Sequence, residues 1–119
     1  MAATLSKSER LCGKTAIAGL MEHGKGSVAG CLRYKYLVRD DGDAVSRILI
    51  SVPKRSFKRA VKRNLLKRRI RESYRLQKEL LPAGMDIAFI YVSREVLPFE
   101  EIYSSMTAAL TAAAQQVTA

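Results

Sequence analysis

Hydrophobic positions recur along this chain in two rhythms. Near the start, Ile17, Leu20 and Met21 repeat at helical spacing, and Gly24 follows as a stop. That pattern predicts a short helix from about Gly13 to His23. Upstream, Ser6-Lys7-Ser8-Glu9 matches a capping box. Gly24-Lys25-Gly26 reads as the helix stop followed by a turn. From Ala29 to Arg39 the rhythm shortens to two: Leu32, Tyr34, Tyr36 and Val38 alternate with Arg33, Lys35, Leu37 and Arg39, so the segment is extended. Asp40-Asp41-Gly42-Asp43 is a hairpin turn and lacks the length and spacing of a calcium loop. Val45 to Val52 is a second strand with Ile48, Ile50 and Val52 on one face, ended by Pro53.

A helix of about 22 residues then runs from near Lys58 to Leu81, stopped by Pro82-Ala83-Gly84. Asp86 to Val92 is nearly all apolar, as expected of a buried central strand. The last helix spans about Phe99 to Gln115, with Ile102, Met106, Ala109, Leu110 and Ala113 as its apolar stripe, and the final residues fray. Helix, strands, long helix, strand and helix in that order make an α+β domain with helices packed on a small sheet. There is no internal repeat and no linker. Residues 1–119 read as one domain with a core over about 8–115.

Composition adds a partner to this picture. The 119 residues carry 21 Lys and Arg against 11 Asp and Glu, a net charge of +10. Lys54 to Arg75 holds 11 basic residues and one acid, Glu72, while the rest of the chain balances 10 against 10. The whole excess therefore sits in one segment, which points to a polyanion. With 48% hydrophobic residues, a chain of this size buries roughly two-thirds of its unfolded surface.

Projecting the long helix at about 100° per residue sharpens the point. Lys67, Lys78, Arg71, Asn64, Arg75 and Arg68 share one sector of about 100° along ~21 Å of helix. Leu66, Ile70, Leu76 and Leu80 face the other way; Arg59, Lys62, Arg63 and Arg69 lie on the flanks or opposite. A solvated helix face normally mixes charge signs for pairing between adjacent turns. Crowded like charge costs stability, and a phosphate backbone offsets it by counterion release. Arginine adds a planar fork that holds phosphate at two points and stacks on bases. The stripe alone does not choose between RNA and DNA.

Other chemistries have little support. No apolar run reaches the ~18 residues of a membrane span, and the N-terminus lacks the apolar block of a secretory signal, so the expectation is a cytoplasmic protein without membrane contact. Cys12 and Cys31 make no disulfide framework and are expected as free thiols. With His23, the only histidine, they fall at no metal-ligand spacing, and His23 reads as a polar residue near a helix end. Gly24-Lys25-Gly26 is too short for a phosphate loop. Acids are scattered or in turns, so neither a two-metal carboxylate cluster nor a histidine acid–base pair is present, and no residue is assigned as catalytic.

The basic segment resembles the signature of the bacterial ribonuclease P protein subunit. That motif joins a Ser-Val-x-Lys-(Lys/Arg) strand end to Ala-Val-x-Arg-Asn-x-x-Lys-Arg and Ile-Arg-Glu. Here the matching residues are Ser51-Val52-Pro53-Lys54-Arg55, Ala60-Val61-Lys62-Arg63-Asn64, Lys67-Arg68 and Ile70-Arg71-Glu72, with Pro53 replacing a small polar residue. Glu9-Arg10-Leu11, Gly24 and Gly84-Met85-Asp86-Ile87 agree on the flanks. The resemblance covers roughly residues 8 to 112.

The resemblance implies the element order α-β-β-β-α-β-α with a mostly antiparallel sheet and a left-handed strand-helix-strand crossover, against the usual hand. It implies a protein subunit that binds a catalytic RNA and the 5′ leader of precursor tRNA. Magnesium is then held mainly by the RNA, and no obligate protein partner is expected. The RNA-binding residues it implies are Lys54, Arg55, Lys58, Arg59, Lys62, Arg63, Asn64, Lys67, Arg68, Arg71 and Arg75. A leader cleft between the first helix and the sheet would use Lys14, Ile17, Met21, Arg33, Tyr34, Lys35 and Tyr36. Ile17 and Met21 stand where relatives commonly carry two phenylalanines, so Tyr34 and Tyr36 are the rings left to stack on leader bases. Two other classes compete on composition: a structural RNA-binding protein, and a DNA-binding protein laying the helix in a major groove. A groove-reading helix is usually short and projected by a dimer or a helix-turn-helix, and nothing in this chain forms a zipper.

Overall fold

Strand pairing places the segment read as buried at the centre of the sheet. The computed structural model describes residues 9–11, 13–39 and 45–118. Ser6 to Ser8 of the capping box, Cys12 and the Asp40–Asp43 turn lie outside the described residues. The elements are α1 (Lys14–His23), β1 (Lys25–Ala29), β2 (Leu32–Val38), β3 (Arg47–Ser51), α2 (Ala60–Arg75), a short 3-10 turn at Lys78–Leu80, β4 (Met85–Tyr91) and α3 (Phe99–Thr118). The sheet order is β1-β2-β4-β3. The β1–β2 and β2–β4 pairs are antiparallel, and β3–β4 is parallel with α2 as the crossover. The α-β-β-β-α-β-α order implied by the resemblance is thus present.

Strand periodicity then sorts side chains between two faces. On one face Leu32, Tyr34, Tyr36, Ile48, Ile87, Phe89 and Tyr91 pack under Leu66, Ile70 and Tyr74 of α2 and Ile102, Met106, Ala109, Leu110 and Ala113 of α3. On the other, Leu37, Leu49 and Ala88 lie with Leu11 under Ala16, Ile17, Leu20 and Met21. β4 is buried because helices cover both of its sides, which is why it reads as an unbroken apolar run.

Two expectations need correction. The Gly24-Lys25-Gly26 stretch is not a turn: Gly24 is already extended (φ −69°, ψ 152°), and Lys25–Ala29 pairs along β2 as the edge strand. The extended segment is a hairpin turning at Gly30, whose φ of +58° favours glycine. Alternation is invisible in Lys-Gly-Ser-Val because one edge of this strand is open and most of its side chains are exposed. Gly26 instead serves close approach, since a Cβ there would run into the Tyr34 carbonyl oxygen.

The long helix is also shorter than its sequence pattern. It ends at Arg75, and Gln77 leaves helical geometry at φ −137°, ψ 24°. The reason is tertiary. The buried Gln77 amide donates to the Tyr103 carbonyl at 3.1 Å and accepts from the Thr107 hydroxyl at 2.6 Å, which turns the chain toward α3. Leu76 and Leu80, expected on the helix's apolar face, are consequently exposed.

Candidate nucleic-acid interface

Helix α2 carries the charge because its apolar side is fully occupied. Leu66, Ile70, Ser73 and Tyr74 are buried, and this fixes the opposite side toward solvent. Lys62, Asn64, Arg68 and Arg71 are exposed and Lys67 is half-buried. None of these four cations has an acidic partner among the described residues. Lys78 does not continue the stripe. It sits past the helix and pairs with Glu9 at 3.0 Å.

Three arginines of the segment are otherwise engaged. Arg75 forms a two-point pair with Glu72, one arm at 2.9 Å. That hydrogen bond holds the Glu72 carboxyl below its ordinary value, against a smaller effect of desolvation. Arg69 donates to the Leu97 carbonyl at 2.5 Å. Arg63 donates from Nη1 to the carbonyls of both Phe57 and Lys58, each at 2.8 Å.

The loop before α2 is a closed turn. The Pro53 carbonyl accepts from the amides of Ser56 at 3.2 Å and Phe57 at 3.3 Å. Phe57 is buried, its ring centroid 5.8 Å from that of Tyr91. Lys54, Arg55, Lys58 and Arg59 are left exposed. Arg55 lines a depression with Arg33, Arg94, Pro53, Ser56 and Ile90, and no acid is among its lining residues.

Arg33 belongs to the α1 side of the sheet, whose residues alternate out of the main core. In register across the strands, Val28, Arg33, Ile90 and Ser51 share that face, next to the row of Gly26, Lys35, Ala88 and Leu49. The face runs from α1, where Lys14 is exposed and Ile17 and Met21 are half-buried, to the three-arginine depression. Lys35 donates its ammonium to the Met21 carbonyl at the end of α1.

Tyr34 and Tyr36 are on the wrong side for this surface. They are 5% and 7% exposed, stack on each other at 6.4 Å, and belong to the core under α3. Strand alternation set them apart from Arg33 and Lys35, but only packing decided which set was covered. Nothing in the sequence singles out Arg94, which stands beside Glu95 in the loop after β4. A second residue without an assigned role, Arg10, lines a groove at the outer edge of β3 with Lys67 and Arg71. It is brought there by a short bridge in which Leu11 donates to the Ile48 carbonyl at 2.8 Å.

Residues 5–114 match the family model Ribonuclease P. The chain belongs to the ribonuclease P protein family. The Ribonuclease P protein component of Porphyromonas gingivalis is 41% identical over 114 residues, covering 89% of this chain and 83% of that protein. That of Syntrophus aciditrophicus is 36% identical over 87 residues, covering 73% and 71%. The fold is that of the Staphylococcus aureus RNase P protein, with TM-score 0.77 at 24% identity over 90% of this chain and 96% of the other. The Thermotoga maritima RNase P protein gives TM-score 0.74 at 26% identity, over 87% and 96%. As a ribonuclease P family member the chain is a protein subunit of a tRNA-processing ribonucleoprotein endonuclease. Among the described residues no helix is long and apolar enough to cross a membrane.

Proposed function

We propose that this subunit binds the catalytic RNA of ribonuclease P through α2 and holds the 5′ leader of precursor tRNA on the α1 side of the sheet. It thereby assists magnesium-dependent removal of the leader. The observation that carries the reading is that two separate cationic surfaces meet at the Pro53–Arg59 loop. One is the α2 face with Lys62, Lys67, Arg68 and Arg71; the other is the depression of Arg33, Arg55 and Arg94.

Each surface has its own task. The α2 face spans successive turns of a rigid helix, which suits the fixed phosphate array of a folded RNA. The depression includes Arg33 and Ile90 on the sheet face that α1 packs against with half-buried Ile17 and Met21, which suits a flexible single strand. With both tyrosines in the core, this chain holds the leader by its phosphates, and Met21 offers a polarizable apolar contact to a base. Among the described residues no group of three or more His, Cys, Asp and Glu is placed to hold a metal ion. In this reading magnesium is held mainly by the RNA, and the protein's part is to bind and orient the substrate.

The test uses holoenzyme assembled from this protein and a catalytic RNA of the family. Arg33→Ala with Arg55→Ala should weaken binding of leader-bearing precursor by about tenfold or more and leave mature tRNA unchanged. Equal losses for both ligands would remove the cleft from the assignment.

A further inference from the structure

We propose that Arg63 is a positioning residue that fixes Arg55 over the leader surface and does not itself contact RNA. The proposal rests on the leader reading given above. Arg63 stands inside the most basic stretch of the chain, beside Asn64, and its sequence position suggests a phosphate ligand. Its guanidinium is instead turned along the helix toward the preceding loop. Nη1 donates to the Phe57 and Lys58 carbonyls at 2.8 Å each. Both acceptors lie just before the first turn of α2, where the loop's carbonyls have no helical partner.

The consequence lies upstream. The turn from Pro53 to Phe57 is closed at its start by the Pro53 carbonyl, which accepts from Ser56 and Phe57. It is anchored below by buried Phe57 against Tyr91. Arg63 closes the other end. Arg55 lies between these fixed points and lines the depression with Arg33 and Arg94. Three guanidinium groups that line one depression repel one another, and an untethered loop would relax by moving Arg55 away. Arg63 thus keeps an unfavourable charge arrangement in place until phosphate occupies it. One nitrogen makes both bonds, so a lysine ammonium with its three donors keeps part of the tether and alanine removes it.

The experiment compares Arg63→Lys, Arg63→Ala, Arg55→Ala and the core variant Ile102→Val in assembled holoenzyme. Three quantities are read: the ratio of precursor to mature tRNA affinity, the salt dependence of catalytic RNA binding, and hydrogen exchange of the 54–58 amides. Arg63→Ala should lower the affinity ratio about as far as Arg55→Ala, of order tenfold, and raise exchange at 54–58. The two changes combined should cost no more than one. Arg63→Ala should leave the slope of log affinity against log salt at its wild-type value, since no phosphate contact is removed. Ile102→Val, destabilised elsewhere, should leave the ratio alone, which separates positioning from general loss of stability. A wild-type ratio in Arg63→Ala, or a slope reduced by about one in that variant, overturns the proposal while the leader surface stands. An unchanged ratio in Arg55→Ala overturns the leader surface and this proposal together.

Discussion

Lys35, at the middle of β2, donates its ammonium to the main-chain carbonyl of Met21 in the last turn of α1. One of the last-turn carbonyls of a helix is thereby satisfied by a cation from the sheet. The bond ties α1 to the sheet on the face proposed to hold the leader. It also means that Lys35 is engaged in the fold, while Arg33, two residues earlier, is exposed and lines the arginine depression.

Purified protein without RNA should not cleave precursor tRNA at any magnesium concentration. The motivation is the lack of a carboxylate or histidine cluster among the described residues. Cleavage that survives exhaustive ribonuclease treatment and follows the protein peak in chromatography would contradict the assignment.

Arg68→Ala should weaken binding to the catalytic RNA and lower the magnitude of the salt slope by about one. Arg68 is exposed in the middle of α2 with no acidic partner among the described residues. Lys78→Ala should leave the slope unchanged, because Lys78 lies beyond the helix and is paired with Glu9. A titration of affinity against salt for both variants decides; equal slopes would indicate diffuse attraction without a docked helix.

Phe at both Ile17 and Met21 should tighten binding of leader-bearing precursor by up to ~1–3 kcal/mol per stacked base and leave mature tRNA unaffected. Both positions are half-buried beside Leu20 and Ala88, so each offers one side to solvent. Overpacking of that small cluster costs ~1–3 kcal/mol of stability where the side chains cannot turn outward. Affinity and melting temperature measured together separate the outcomes: a destabilised variant with unchanged leader affinity would make these residues core alone.

Stability should fall as pH rises from about 10 to about 12, and Tyr74→Phe should flatten part of that fall. Burial, reinforced by the Glu9 carboxylate, pushes the Tyr74 hydroxyl up to about 12 from an ordinary 10. A group whose pKa is raised by folding contributes its stability below the unfolded value and loses it through the folded one. Denaturant midpoints for the two proteins across this range check the sign; parallel curves would exclude Tyr74 as a source.

Sequence alone determined whatever rests on local periodicity and composition. The concentration of charge between Lys54 and Arg75, the buried run of β4, the apolar stripe of α3 beginning at Phe99, and the motif around Arg63-Asn64 are all written in adjacent residues. Tertiary structure decided what depends on partners distant in sequence. Period two divides Tyr34 and Tyr36 from Arg33 and Lys35, but only the packing of α3 made the tyrosines core and the cations surface. Helical spacing carries on through Leu76 and Leu80, yet Gln77 leaves the helix to bond with Tyr103 and Thr107. A basic side chain looks the same in sequence whether it awaits phosphate or is spent on a carbonyl. Arg63, Arg69 and Lys35 are spent; Arg33 and Arg55 converge with Arg94 only because the β3–α2 loop and the β4–α3 loop meet at one end of the sheet.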